Sequence, residues 1–544
     1  MLIALPPEAA GFLALAALAL LPGLLLVRAP WTAVPALSVA FWMLGWWWLP
    51  LGGRSRLLAG ALVLFSMLAV LRFLPKHSVP PPPGHAGPEP SPPVTGPTTG
   101  DVPRFRTVPS LVVTGVALAL LVPLPLWHHV PGREMAFHTT SVRLAVWRDA
   151  LPPTHEPLLP LPHFGSHAPG FPTLAADVSL LSGLDPGRSA VVAALLLASL
   201  LLMGLYGLLG TRMRPSAAAL GALLGLATAP WPGFLAMWGE GGPLLALGLG
   251  LSAAALILGH SSRPSAAAAG MLLGAGLLAQ PVLTLGMGGV IAAWMAWVGE
   301  GRAAANAVIP SPPAGTAGEE SDARARGIRS LARRPHDGAL RDDMSSARAR
   351  GSRSLVARSN DGAPRDDRAG RLGVAFGMAV VLAGPALVRL AEALSAKEAA
   401  GVLTAIEGRE VMSFVTGLAL LGLAAFLARL LVEARPRTGV LTGALVVVSA
   451  VILLVGAHAG PAGGQLEPES LHALADLEAE HEPLEAVCAP EGVLDWVPAL
   501  AGRVAGGMGK EGPEPWVPHA LREEWARAPR PGCSKKLDAS PWRR

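Results

Sequence analysis

Charge is what this chain has least of. Asp, Glu, Lys and Arg together make up 15% of its 544 residues, against about 25% in an ordinary soluble domain. That scarcity, over such a length, excludes one water-soluble globule. A single soluble core stops growing near ~300 residues, and a 51% hydrophobic share needs lipid, or helices within lipid, to cover it. Cysteine is almost missing too. The two present, Cys488 and Cys533, lie in the C-terminal tail, and none lies in an apolar run. A disulfide between them is permitted if the tail is external; two unrelated thiols fit the sequence equally well. The formal net charge is +5. In a soluble protein this would point to acidic partners, but the cytoplasmic loops of membrane proteins are themselves basic, and nucleic-acid binding is not expected.

What the chain does have is long apolar runs. A helix needs about 20 apolar residues to cross the hydrocarbon. Spans are expected near 9–27, 33–52, 57–73, 109–126, 189–209, 216–237, 243–259, 266–279, 281–298, 372–393, 412–432 and 438–457. The fold class is therefore an all-α polytopic membrane protein of about 12 transmembrane helices. The pair 266–279 and 281–298 is separated only by Gln280-Pro281 and could be one kinked helix. Loop charge argues for two. With the N-terminus outside, Arg28, Arg72, Lys76, Arg104, Arg106, Arg212, Arg214, Arg263, the basic 300–371 segment, Arg435 and Arg437 all fall inside. Merging the pair would push the arginine-rich segment out. Arg54 and Arg56 are exceptions, placed in a short external loop. Twelve crossings leave the C-terminus external, in what composition suggests is a bacterial inner membrane.

The organisation that follows is N-terminal membrane helices over 1–74, a Pro-rich cytoplasmic linker over 75–108, and a membrane core over 109–300 with an external loop at 127–188. A basic insert over 301–371, C-terminal membrane helices over 372–458 and an external tail over 459–544 complete it. The insert holds a tandem duplication: Ala323-Arg324-Ala325-Arg326-Gly327 recurs as Ala347-Arg348-Ala349-Arg350-Gly351, an offset of 24 residues. With almost no apolar residues it cannot stack as a solenoid and reads as disordered.

The external loop carries the candidate chemistry. Six of the 14 histidines fall between 128 and 167. A helical stretch near 134–149 puts Glu134 and His138 four residues apart on one face and could lie in the membrane interface. Asp177 and Asp185 read as helix caps, and Trp46-Trp47-Trp48 as an interfacial aromatic belt. Gly286–Gly289 suits close helix packing.

The order of these segments resembles a family. An acid closely followed by His leads into an amphipathic helix and Ala150-Leu151-Pro152-Pro153. Then come His167-Ala168-Pro169-Gly170-Phe171-Pro172, an apolar helix and Ser182-Gly183-Leu184-Asp185-Pro186. This is similar to the first external loop of the type C (GT-C) membrane glycosyltransferases, which include the protein O-mannosyltransferases and lipid A aminoarabinose transferases. The external Trp238-Gly239-Glu240-Gly241-Gly242-Pro243 and the tail's Trp496-Val497-Pro498-Ala499-Leu500-Ala501-Gly502-Arg503 also look like segments of bacterial members. The resemblance implies a polyprenyl-phosphate sugar donor, transfer to a glycan, lipid or protein acceptor at the outer face of the bilayer, and a divalent cation as a possible cofactor. It implies Glu134 as catalytic base and His138 as a positioning group or metal ligand. Arg143, Arg148, His167, Glu240 and Arg503 become candidate substrate contacts, and His138, His163 and His167 candidate metal ligands. Two other readings compete: a transporter or flippase, disfavoured by the few charges within spans, and a non-catalytic protein that binds metal or a partner through the His-rich loop.

Overall fold

The computed structural model describes residues 7–26, 30–48, 53–73, 108–121, 133–159, 169–228, 241–260, 262–308, 368–395, 420–432, 439–459, 466–480, 486–489, 493–505 and 535–536. Among the described residues the chain is all-α apart from three very short strands. Its helices are α1 (Pro7–Leu26), α2 (Val34–Trp48), α3 (Arg54–Phe73), α4 (Val108–Leu120), α5 (Arg133–Arg148), α6 (Gly170–Ser182), α7 (Pro186–Gly210), α8 (Pro215–Thr228), α9 (Gly241–Gly259), α10 (Arg263–Ala279), α11 (Pro281–Val308), α12 (Arg368–Ser395), α13 (Leu420–Val432), α14 (Gly439–Ala459) and α15 (Pro468–Ala479). A helix stands at each of the twelve expected spans. Among the described residues three helices are long and apolar enough to cross a membrane: Arg54–Arg72, Pro186–Gly210 and Gly241–Gly259.

The chain divides into two compact units, residues 1–288 with 374–544, and residues 289–373. In the second, the described residues are the later part of α11 and the first residues of α12.

In the first unit α7 and α9 form the centre and are buried along nearly their whole length. They approach closely because Gly204 of α7 faces Ser252 and Gly248 of α9, where a Cβ would meet the Gly248 carbonyl oxygen at 3.1 Å. Small residues drive such packing in lipid, where apolar burial gives helices no preference for one another. The same device joins α10 to α12: a Cβ on Gly270 would fall on the Ala375 carbonyl, and one on Gly274 would meet the Ala379 carbonyl at 3.1 Å. Ascending pairs in both helices mean that α10 and α12 run parallel. Gly221 and Gly225 of α8 face Ala425 and Leu421 of α13, so that pair runs antiparallel.

Gln280 is extended (φ −160°, ψ 100°) and ends α10, and the Thr284 side chain folds back against Gly276. The chain thus reverses at Gln280-Pro281, and the two segments are separate helices. Proline lacks the N–H that a continuing helix would need there.

The outer helices expose aliphatic side chains in bulk. Val63, Leu64, Met67, Val70 and Leu71 on α3 and Val447, Val448, Val451 and Val455 on α14 are all more than half exposed. Patches of this kind are rare on water-soluble monomers, and lipid removes their cost. The expectation of close packing at Gly286–Gly289 holds for Gly288, where a Cβ would lie 2.9 Å from the Phe376 ring, and is corrected for Gly286 and Gly289, where a Cβ would meet nothing within 4 Å. The aromatic belt is corrected as well. Trp46 and Trp47 are buried, and only Trp48 is exposed, its indole donating to the Leu382 carbonyl at 2.8 Å.

Candidate functional site

The sequence allows helix α5 to lie in the membrane interface, apolar side down. Instead residues 135–145 are buried throughout, between the membrane helices on one side and the tail on the other. Its polar residues need no water. Thr139, Thr140 and Ser141 donate to the carbonyls of Met135, Ala136 and Phe137, each one turn back in the same helix, at 2.7, 2.9 and 3.1 Å. Self-satisfaction of this kind removes most of the cost of burying a hydroxyl.

The tail closes over α5 through Arg143, and Arg503 braces the tail internally. Arg143, only 3% exposed, donates from Nε to the Ala499 carbonyl at 2.8 Å and from Nη2 to the Leu500 carbonyl at 2.6 Å. Its Nη1 pairs with Glu478 Oε1 of α15 at 2.6 Å. The carbonyls belong to a single π-helical turn, Val497–Ala501, preceded by a 3₁₀ turn at Leu494–Trp496. Arg503 donates from Nε and Nη2 to the Leu477 carbonyl at 3.2 and 2.9 Å, one of the carbonyls that the end of α15 leaves without an intrahelical donor. Three strands, β1 (Ala486–Cys488), β2 (Val504–Ala505) and β3 (Lys535–Lys536), form a parallel sheet in the order β2-β1-β3. Cys488 is disulfide-bonded, and the other cysteine of the chain is Cys533.

His138 is buried at 2% exposure, with its ring centroid 5.6 Å from that of Phe171 and 6.1 Å from that of Phe137. His155 is likewise buried against Phe137, at 5.0 Å. Phe171, at the start of α6, packs directly on Gly241 at the start of α9: a Cβ on Gly241 would lie 2.6 Å from the Phe171 ring. Gly170, beside it, packs against Met43 of α2 and Ala279 of α10. Three segments far apart in sequence, around 138, 171 and 241, therefore converge on one aromatic ring.

The candidate site residues divide accordingly. Glu134 lies in the first turn of α5, one turn before His138, and its side chain lies outside the described residues. His163, His167 and Glu240 also lie outside them. Arg143 and Arg503 direct their donors into the tail. Arg148 is exposed at the other end of α5 and donates to the Glu156 carbonyl at 3.2 Å. At about 1.5 Å per residue, Arg143 and Arg148 stand roughly 13 and 21 Å along the axis from Glu134. Among the described residues no three His, Cys, Asp or Glu side chains are grouped to hold a metal ion.

The outstanding electrostatic feature is one the sequence did not suggest. Asp177 is fully buried in the middle of α6, so it caps no helix. Its two carboxylate oxygens accept from Arg54 Nε and Nη2, both at 3.0 Å. Burial pushes the Asp177 carboxyl above its usual range, and the Arg54 guanidinium pulls it back. Asp185 does cap a helix, accepting from the Arg188 N–H at the start of α7. No signal in the sequence linked Arg54 to Asp177. The one hint was that Arg54 stood against the positive-inside pattern.

The described residues define an all-α chain with membrane-compatible helices, a buried loop helix and a tail clamped upon it. No protein-family model matches this chain, and neither a curated protein nor a solved structure does so.

Proposed function

We propose that this protein is a membrane glycosyltransferase of the GT-C kind, which moves a sugar from a polyprenyl-phosphate donor to an acceptor at the outer face of a bacterial inner membrane. The observation that carries the reading is the convergence on Phe171. It joins the helix bearing Glu134 and His138, the start of α6 at Gly170-Phe171 and the start of α9 at Gly241, each within a stretch on which the family resemblance rests.

In this reading the Glu134 carboxylate takes the proton of an acceptor hydroxyl as that oxygen attacks the anomeric carbon. The bond to the lipid phosphate breaks, and the phosphate leaves with the electron pair. His138, one turn along, orients the acceptor or donor against the Phe171 ring. Arg143 acts indirectly, by holding the tail over α5, and Arg503 by bracing the tail against α15.

Twelve spans with an external C-terminus fit the helix directions. Arg72 donates to the Leu25 carbonyl at 3.3 Å, and Thr211 meets Gly259, so ends expected inside lie together. Arg54, Asp149, Gly170, Gly241 and Ala279, expected outside, likewise share an end. A disulfide in the tail suits an oxidising compartment.

The deciding experiment is transfer from radiolabelled polyprenyl-phosphate sugars by membranes containing wild type or Glu134→Gln. The expected result is at least a hundredfold loss, in keeping with removal of a general base. Equal turnover removes Glu134 from the mechanism, and absence of transfer by wild type with every sugar offered removes the reading.

A further inference from the structure

Four segments are tied together at the N-terminus of α3. The backbone N–H groups of Gly53 and Arg54 donate to the Asp149 carbonyl at 3.1 and 3.0 Å, and the Ser55 N–H and hydroxyl donate to the Asp149 carboxylate, both at 2.7 Å. Asp149 ends α5 in a left-handed conformation (φ 47°), which Asp tolerates better than most residues. The Arg54 side chain grips Asp177 of α6 with two parallel bonds, donates to the Trp42 carbonyl of α2 at 2.9 Å, and lies 4.7 Å over the Trp46 ring. A Cβ on Gly45 would press on Arg54 Nη1 at 3.2 Å, so α2 is cut away to admit the guanidinium. One turn of helix thus fixes the end of α5 by its backbone and the middle of α6 by its side chain.

We infer that Arg54, acting through Asp177, is a positioning residue that sets where α6, and with it Phe171, stands relative to α5 and His138. Buried ion pairs are weak contributors to net stability, because desolvation cancels much of the attraction. Their directional bonds fix geometry, and a planar guanidinium that bridges both carboxylate oxygens fixes it in a way an ammonium cannot. The inference uses the transferase reading only for what the α5–α6 layer is held ready to do.

The test is a distance measurement on the full-length protein in lipid nanodiscs. Nitroxides at Leu64→Cys on α3 and Leu181→Cys on α6 report the α3–α6 separation by pulsed dipolar spectroscopy, with melting temperature recorded alongside. Wild type is expected to give one narrow distribution. Arg54→Lys, which keeps the charge and loses the fork, is expected to broaden or shift it. The apolar pair Arg54→Met with Asp177→Leu is expected to melt near wild type and still give the broadened distribution. A wild-type distribution in Arg54→Lys or in the apolar pair overturns the inference, leaving the ion pair as packing alone. Should Arg54→Lys fail to fold, the apolar pair still decides. Transfer assayed on the same samples separates the readings: a wild type without transfer overturns the transferase and leaves the distance result standing.

Discussion

Gly502 closes the π-helical turn of the tail at φ +66°, and a Cβ there would lie 2.7 Å from Trp147 Cζ2. The left-handed conformation alone costs a side-chain-bearing residue about 1–2 kcal/mol, and the indole adds to that. Gly502→Ala is expected to loosen the tail from α5 without unfolding the membrane helices, seen as faster proteolysis within 480–505 at an unchanged main melting transition. At this scale the sequence was readable where the rule is local. Asp185 next to Pro186 read as a helix cap and is one. Asp177 read the same way and is not, because its partner Arg54 is 123 residues away, and no local rule reaches that far. The exception to the positive-inside pattern at Arg54 and the acid in mid-helix are two halves of one buried pair.

Among the elements, α5 had the legible position and the illegible environment. Its polar composition suggested a face in water, but hydroxyls that bond back within the helix leave little for water to do, and the tail that covers α5 lies more than 300 residues downstream. The contact can be divided experimentally. The Glu478 side chain is 48% exposed, so Glu478→Gln is expected to cost under about 1 kcal/mol. Arg143→Ala leaves the Ala499 and Leu500 carbonyls without their donor and is expected to cost about 2–4 kcal/mol, read as the difference between the two variants in chemical denaturation of the tail. Glycines divide in the same manner. The break at Gln280-Pro281 was visible because proline states its own constraint. Which glycines pack helices was not, since that depends on the neighbour. Gly270→Ala would press on the Ala375 carbonyl and is expected to lose about 1–3 kcal/mol. Gly286→Ala, with open space around it, is expected to gain about 0.5–1 kcal/mol from helix propensity. Melting of the two variants side by side checks the pair.

For the whole molecule, apolar length was enough to locate a helix at each expected stretch, since it is a property of the chain in its solvent and needs no knowledge of partners. The tail is the opposite case. Its strands are two or three residues long, too short to persist alone, so its order depends on the Cys488 disulfide and on the grip upon α5. That dependence ties stability to topology. In the proposed orientation the tail and the exposed Pro153 beside α5 face the oxidising side, while Arg212 and His260 face the reducing one. A cysteine placed at 153 is expected to react with a membrane-impermeant maleimide on intact cells, and one placed at 212 only after the membrane is permeabilised. Treatment of purified protein with reductant is expected to expose the tail to protease while the membrane helices keep their helical signal. Labelling of 212 but not of 153 in intact cells would reverse the orientation and with it the compartment in which the disulfide can form, and the transferase reading would then have its base facing the wrong pool of donor.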